Sequence, residues 1–201
     1  MDKVINLGIP HVGELILESI DTPELLQCAL VSETWKVLAE NVLIKRWKGK
    51  MLWACQSGET KVVQLLLERY DCEENGLNIN DKGGFTPFMW ACRNGHKDVV
   101  KLLLDNTEPR IEVNAKENDG LTAFMRACQH GHKYVVQLLL NNSERIEVNA
   151  SDNYGHTAFM YACSKDNINV VQLLLDHSDK IEVNARGNNG STAFMWACVK
   201  G

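Results

Sequence analysis

One nine-residue phrase is repeated along this chain, and it limits the possible folds more than any other feature. The phrase runs from Gly120 to Cys128 as Gly-Leu-Thr-Ala-Phe-Met-Arg-Ala-Cys, and close copies of it start at Gly84, Gly155 and Gly190. The four copies therefore start 36, 35 and 35 residues apart. Self-similarity at this period indicates a solenoid, in which each repeat buries its apolar face only against its neighbours.

Two further phrases recur in the same register, and a shorter copy of the first one occupies residues 51–55. They are Val-Val-Gln/Lys-Leu-Leu-Leu, starting at Val62, Val99, Val135 and Val170, and Ile-Glu-Val-Asn-Ala, starting at Ile111, Ile146 and Ile181. The order of phrases predicts a helix, a turn, a second helix and a hairpin loop in each repeat. The second helix is apolar over most of its circumference, as a helix packed between neighbours should be. We therefore expect an all-α solenoid.

Cap and turn residues delimit these predicted helices. A threonine in each full phrase can accept a hydrogen bond from the first free N–H groups of a helix. Glycine ends a helix at low cost because it tolerates the left-handed conformation. The predicted N-caps are Thr86, Thr122, Thr157 and Thr192, and the predicted terminating residues are Gly58, Gly95 and Gly131, with Asp166 replacing the glycine once.

The repeats resemble ankyrin repeats, whose phrase is Gly-x-Thr-Pro-Leu-His-x-Ala. In this chain Phe replaces the family's Leu at Phe88, Phe124, Phe159 and Phe194, and Met replaces the His at Met89, Met125, Met160 and Met195. The family's histidine helps to hold the threonine turn by hydrogen bonding, so we expect a larger hydrophobic contact to compensate for its loss. The resemblance covers residues 50–201. We expect about four repeats plus a half repeat there, and we interpret the chain as a truncated piece of a longer array.

Residues 1–49 do not belong to the repeat and predict three short helices, forming a separate helical domain. Their pattern resembles an F-box, which implies docking onto a Skp-type adaptor that links the chain to a cullin–RING ubiquitin ligase. The residues that match the pattern, and that the resemblance assigns to adaptor binding, are Ile9, Pro10, Val12, Ile16, Leu17, Ile20, Leu25, Leu26, Val31, Ser32 and Trp35. Two alternatives stay open: helices that only cap the array of a binding scaffold, and a pathogen protein that borrows a host ligase.

A second interaction surface is predicted on the first helix of each repeat. The residue between Met and Ala of the phrase varies, and in almost every copy its neighbours three and four residues later are polar, so it should face solvent. In ankyrin proteins this position lines the concave groove together with the hairpin tips, which implies target binding. The predicted target-binding residues are Trp53, Lys82, Trp90, Arg93, Asn118, Asp119, Arg126, His130, Asn153, Tyr154, Tyr161, Lys165, Asn188, Asn189 and Trp196. The alternative is that the rings pack between repeats and serve stability.

Other functional classes find little support in the sequence. Its 45% apolar and 23% charged residues are ordinary for a soluble protein, and a net charge of −5 without a basic cluster argues against nucleic-acid binding. No phosphate loop, zinc helix or nucleophile elbow is present, so we expect a non-catalytic protein without cofactor or membrane span. Cys128, His130 and His132 look like metal ligands, but a cysteine used once per repeat is better read as a core residue. Reduced thiols then favour a cytoplasmic or nuclear location.

The asparagine of the third phrase also has two interpretations. Asn114, Asn149 and Asn184 resemble the hairpin asparagines that asparaginyl hydroxylases modify in some ankyrin proteins. The other interpretation, which we favour, is that their side chains cap backbone groups.

Overall fold

The computed structural model describes residues 50–69, 77–105 and 111–200. The predicted helices of residues 1–49, and with them every predicted adaptor-binding residue, lie outside the described residues. The described helices are α1 (residues 50–57), α2 (Thr60–Arg69), α3 (Pro87–Arg93), α4 (Lys97–Asp105), α5 (Ala123–Gln129), α6 (Lys133–Asn141), α7 (Ala158–Ser164), α8 (Ile168–Asp176) and α9 (Ala193–Lys200).

The helices stack in two layers, as the repeat predicts. The first helices α3, α5, α7 and α9 pack side by side in chain order, and the second helices α2, α4, α6 and α8 form the other layer. The first helices α3, α5 and α7 also pack on the second helix of their own repeat. Within the described ranges the only strand-like pairing is an isolated bridge between Ser151 and Thr157. The predicted all-α repeat architecture is confirmed for these residues.

The core is built from the same positions in successive repeats. In α5, Phe124, Ala127 and Cys128 are buried, and they lie on one helix face because they are three and four residues apart. The second helices contribute Val135, Val136, Leu139 and Leu140 in α6 and the equivalent Val99, Val100, Leu103 and Leu104 in α4. In α9 the equivalent Phe194 is 77% exposed. Of the described helices, α7 is the one that packs against α9.

A reciprocal pair of hydrogen bonds begins α3 and α5, and methionine sulfur takes part in it. The Thr122 hydroxyl accepts from the Met125 backbone N–H at 3.3 Å, and the Met125 sulfur accepts from the Thr122 N–H at 3.5 Å. Thr86 and Met89 make the same two bonds. The predicted threonine caps are therefore confirmed. The expected hydrophobic contact is present, since Met89 and Met125 are fully buried, and the thioether in addition accepts a hydrogen bond from the threonine turn.

The predicted helix-terminating residues adopt the left-handed conformation. Gly95 and Gly131 have φ angles of 77° and 75°, and Asp166 has a φ of 54°. Asp166 is the only non-glycine residue with positive φ in the described part of the chain. Because its Cβ crowds the following carbonyl oxygen, this turn costs roughly 1–2 kcal/mol more than the glycine turns.

Ladders of hydrogen bonds join neighbouring repeats. The Asn114 amide donates to the Arg145 carbonyl oxygen at 2.8 Å and accepts from the Glu147 N–H at 2.9 Å. Asn149 makes the same two bonds with Lys180 and Glu182 one repeat later. The backbone-capping interpretation of these two asparagines is therefore confirmed.

A second ladder runs along the hairpin tips, and a third along the turns between the paired helices. At the tips, the Asn153 amide donates to the Asn118 carbonyl oxygen at 3.2 Å, and Asn188 repeats this bond to Asn153 at 3.2 Å. Gly120 is required at its tip because its φ is 87° and because a Cβ there would collide with the Asn153 amide. In the turns, His132 Nε2 donates to the Arg93 carbonyl oxygen at 2.7 Å.

Candidate protein-interaction surface

We call the residues that directly precede Ala in the five copies of the phrase the stripe: Trp53, Trp90, Arg126, Tyr161 and Trp196. Three of them donate a hydrogen bond to a carboxylate nine residues earlier, at the base of the hairpin in the same repeat. The donors and acceptors are Trp90 Nε1 and Asp81 at 3.0 Å, Arg126 Nη2 and Glu117 at 2.8 Å, and Tyr161 Oη and Asp152 at 2.5 Å. These three residues differ in type, but each side chain can donate a hydrogen bond. These bonds hold the stripe side chains on the hairpin side of the first helices.

Two of these carboxylates also shape their own hairpins. The second Asp152 oxygen accepts from the Tyr154 and His156 backbone N–H groups at 2.9 and 2.8 Å. Asp81 accepts from two backbone N–H groups of its hairpin in the same way. Because one side chain binds both elements, the hairpin tip and the stripe residue are fixed relative to each other.

The last described repeat lacks this carboxylate, since Gly187 occupies its position. Trp196 packs instead against the His156 ring of the previous repeat, with ring centroids 4.5 Å apart and an interplanar angle of 63°. Edge contacts of this kind are favourable because the positive edge of one ring meets the negative face of the other. Tyr154, Tyr161 and Trp196 thus surround His156 and form an aromatic cluster.

The carboxylates were absent from the predicted site, although the sequence contains a signal for them. Asp81, Glu117 and Asp152 recur at one position of the repeat, each nine residues before a side chain that can donate. A recurring acid paired with a changing donor indicates a conserved bond within the repeat rather than a solvated charge. Glu117 and Asp152 are indeed buried.

Exposure along the stripe is graded. Trp53 is 51% exposed, Trp90, Tyr161 and Trp196 are partly exposed, and the Arg126 side chain is only 15% exposed. Three of the stripe residues are therefore held by hydrogen bonds, and all five stay at least partly exposed to solvent. That these residues bind a target stays a prediction.

The predicted tip residues divide into two sets. Asn118, Asn153 and Asn188 are exposed, but their amides donate to the neighbouring tip. Asp119 and Tyr154, the residues that follow two of them, are exposed, with Tyr154 at 62%. Lys82 and Asn189 are exposed as well. The second tip position is thus the one that presents a variable side chain to solvent.

The predicted residues at the C-terminal ends of the first helices form a basic row, defined here as Arg93, His130 and Lys165. The Arg93 guanidinium lies 4.7 Å from the centroid of the Trp90 ring and 5.3 Å from that of Phe85. Burial lowers the pKa of His130 below the usual 6.5, and the positive charges of Arg93, His132, Arg126 and Lys165 lower it further. The positive groups that lower this pKa therefore lie close together around His130.

Three of the five repeated cysteines, Cys55, Cys92 and Cys128, are buried in the core, whereas Cys163 is partly buried and Cys198 is exposed. Burial raises the pKa of the Cys55 thiol to about 12, and it also raises the pKa values of Cys92 and Cys128 well above that of a free thiol. His132, which looked like a partner of Cys128 in a metal site, donates to the Arg93 carbonyl group instead. Within the described ranges no three His, Cys, Asp or Glu side chains are placed to hold a metal ion. None of the helices described there has the length and apolar character needed to cross a membrane.

Helix pairs stacked in register, joined by hairpins and linked by asparagine ladders, define a helical-repeat binding scaffold. The family model of ankyrin repeats matches residues 24–117, 50–152, 109–186 and 145–201, and this chain belongs to the ankyrin-repeat family. Members of this family are typically non-enzymatic scaffolds that bind other proteins. No F-box domain is found among the matches, and the first ankyrin match begins inside the segment that resembles one. The comparison with curated proteins gives no match.

Proposed function

We propose that the array binds a target protein on the surface formed by the stripe and the hairpin tips. We propose further that residues 9–47 dock onto a Skp-type adaptor, so that the chain presents its target to a cullin–RING ubiquitin ligase. The observation that carries the first proposal is the hydrogen-bonded support of the stripe by Asp81, Glu117 and Asp152.

This support suits a binding surface for two reasons. Trp, Tyr and Arg are the residue types that contribute most to the energetics of protein interfaces. A side chain already held in one conformation loses less entropy when a partner binds. Trp90 and Tyr161 are each held by a hydrogen bond, and both residues stay partly exposed to solvent.

Support for the adaptor proposal comes from the sequence likeness of residues 9–47 alone. A second candidate function is an ankyrin scaffold without a role in ubiquitylation, whose N-terminal helices cap the array. The ankyrin match that begins at residue 24 favours this second candidate, since it overlaps the F-box-like segment.

The target surface can be tested with exposed residues whose loss should not destabilise the array. Trp53→Ala and Tyr154→Ala remove rings that are 51% and 62% exposed. The matched control is Tyr134→Ala, because Tyr134 is 76% exposed and lies on the second helix α6. Proteins captured from cell lysate by the wild-type chain should be lost with the double variant and kept with the control, at equal melting temperatures. Equal capture by all three chains would refute the proposed surface.

The adaptor proposal is tested by binding to a purified Skp-type adaptor. Leu25→Asp with Leu26→Asp should abolish binding, because aspartate cannot enter an apolar interface without a large desolvation cost. The matched control is Ile168→Asp with Leu175→Asp, two exposed apolar residues of α8. If the wild-type chain does not bind the adaptor, or if both double variants bind as it does, the scaffold without a ligase role is the correct function.

A further inference from the structure

We propose that the ligand of this surface is an acidic segment of a partner protein, which places carboxylates on the basic row and apolar side chains on the stripe. This inference rests on the proposed target-binding function and names the chemistry of the target. It is an inference about Arg93, His130 and Lys165 together with the rings beside them.

The basic row and the stripe share one face of the first helices. Arg93 follows Trp90 by three residues, and Lys165 follows Tyr161 by four. Residues with these spacings are neighbours on a helix surface. The stacking of the Arg93 guanidinium on the Trp90 ring, at 4.7 Å, shows that the two sets are in contact. A bound segment would therefore meet a ring beside a cation in the Trp90 repeat and again in the Tyr161 repeat, two repeats further along the chain.

Among the residues that the structure describes, no carboxylate forms an ion pair with the outer cations of this row, Arg93 and Lys165. Among the described residues, the ion pairs join Arg126 to Glu117 and His156 to Asp152. Arg93 and Lys165 have no carboxylate within ion-pair distance in that part of the chain. The chain as a whole carries a net charge of −5, whereas Arg93 and Lys165 both lie close enough to His130 to lower its pKa further, after the effect of burial. Positive charges grouped in this way attract carboxylates of a partner.

The opposite edge of the surface favours a peptide over a nucleic acid. Asp119 is exposed at a hairpin tip, and its negative charge is one of the influences that raise the pKa of Tyr161, after burial and the bond to Asp152. Asp119 thus lies near Tyr161 on the hairpin side, where Lys82 is also exposed one repeat earlier, and Lys165 follows Tyr161 on the helix-end side. A continuous polyanion would be repelled by Asp119 on the hairpin side. A short acidic segment can instead lie along the helix-end side, with its apolar residues on the rings.

Cations at the ends of helices also have a structural explanation. Positive charge near a helix C-terminus interacts favourably with the helix dipole. This interaction contributes to the stability of the chain whether or not a ligand binds. Affinity and melting temperature must therefore be measured on the same variants.

The experiment is selection from a display library of random peptides on the immobilised full chain, followed by affinity measurements with the enriched peptide. Lys165→Glu is the test variant, and Lys101→Glu is the control, since Lys101 is exposed on the second helix α4. We expect enriched peptides to combine Asp or Glu with apolar residues. Their affinity should fall about tenfold or more for Lys165→Glu and change little for Lys101→Glu, with both variants still folded at the temperature of the assay. Raised salt should weaken binding of the wild-type chain.

The outcomes distinguish the inference of an acidic ligand from the target-binding function on which it rests. Peptides that need Trp53 and Tyr154 but show no acidic preference would overturn the inference and leave the target surface in place. Enriched acidic peptides that bind Lys165→Glu as tightly as wild type would also overturn it. Stronger binding of oligothymidylate than of any selected peptide would assign the surface to nucleic acid. Selected peptides that bind without regard to Trp53, Tyr154 and Lys165 would refute the surface itself.

Discussion

The bond between Tyr161 and Asp152 allows the support of the stripe to be measured. Tyr161→Phe removes only the hydroxyl group, whose oxygen lies 2.5 Å from the Asp152 carboxylate. Hydrogen bonds to charged groups contribute about 1.5–3 kcal/mol to stability, and we expect this variant to lose about 2 kcal/mol. For an array of this size that loss lowers the melting temperature by roughly 4–8 °C. Tyr154→Phe is the control, because its ring is 62% exposed and should change stability by less than about 0.5 kcal/mol.

Asp152→Ala removes two further bonds, those from the Tyr154 and His156 N–H groups. Because Tyr154 is exposed and His156 partly so, water can replace part of what is lost, and we expect a total cost of about 3–4 kcal/mol.

The assay is urea unfolding of the wild-type chain, both single variants and the double variant. In a double-mutant cycle, Tyr161→Phe should cost almost nothing once Asp152 is alanine, which gives an interaction energy of about 1.5–2 kcal/mol. If Tyr161→Phe costs the same in both backgrounds, the hydroxyl does not bind the carboxylate. The stripe would then be a set of independent surface residues, and the support inferred for it would be wrong.

Further predictions concern the cap, the thiols and the histidine of the basic row. Met125→Leu should lower the free energy of unfolding by about 1 kcal/mol, because leucine fills the space but cannot accept from the threonine N–H, while Met195→Leu, at an exposed site, should change it little. Iodoacetamide should alkylate Cys198 in the native chain and Cys128 only after unfolding, as read by peptide mass mapping, since Cys128 is buried with a raised pKa. Because the folded chain lowers the pKa of His130 below 6.5, the unfolded chain binds the proton more readily, so stability should be complete above pH 6.5 and fall below it. An NMR titration that places this pKa at or above 6.5, or a His130→Gln variant with an unchanged pH dependence of stability, would contradict the third prediction.

Local features of this fold could be predicted from the sequence because each depends on neighbours in the chain. Thr122 caps α5 through a residue three positions away, and Gly131 ends its turn through its own backbone conformation. Phe124 and Cys128 could be assigned to the core because helical periodicity places them on one face. The same periodicity put the stripe and the basic row together on the other face.

What could not be predicted depends on geometry that periodicity does not contain. The sulfur of Met125 accepts a hydrogen bond only in one side-chain conformation, which its apolar character does not suggest. Asp152 and Tyr161 lie in separate phrases of the repeat, so their contact follows from the fold of the hairpin over the helix. The amide of Asn153 meets a carbonyl group one repeat away, where sequence shows only that both repeats contain asparagine.

The interchangeable links between repeats have a consequence for how such a chain changes its length. Every tip asparagine binds the preceding tip through the same groups, and the stripe donors bind a hairpin acid of their own repeat. Excision of residues 120–154 would join Asp119 to Gly155 and keep an Asn-Asp-Gly tip. It would also bring Glu117 nine residues before Tyr161, so an acid would again face a donor. Recombination among the three copies that carry both the acid and the donor can therefore add or remove whole repeats without leaving an unpaired link, and the set of stripe residues changes as a unit each time.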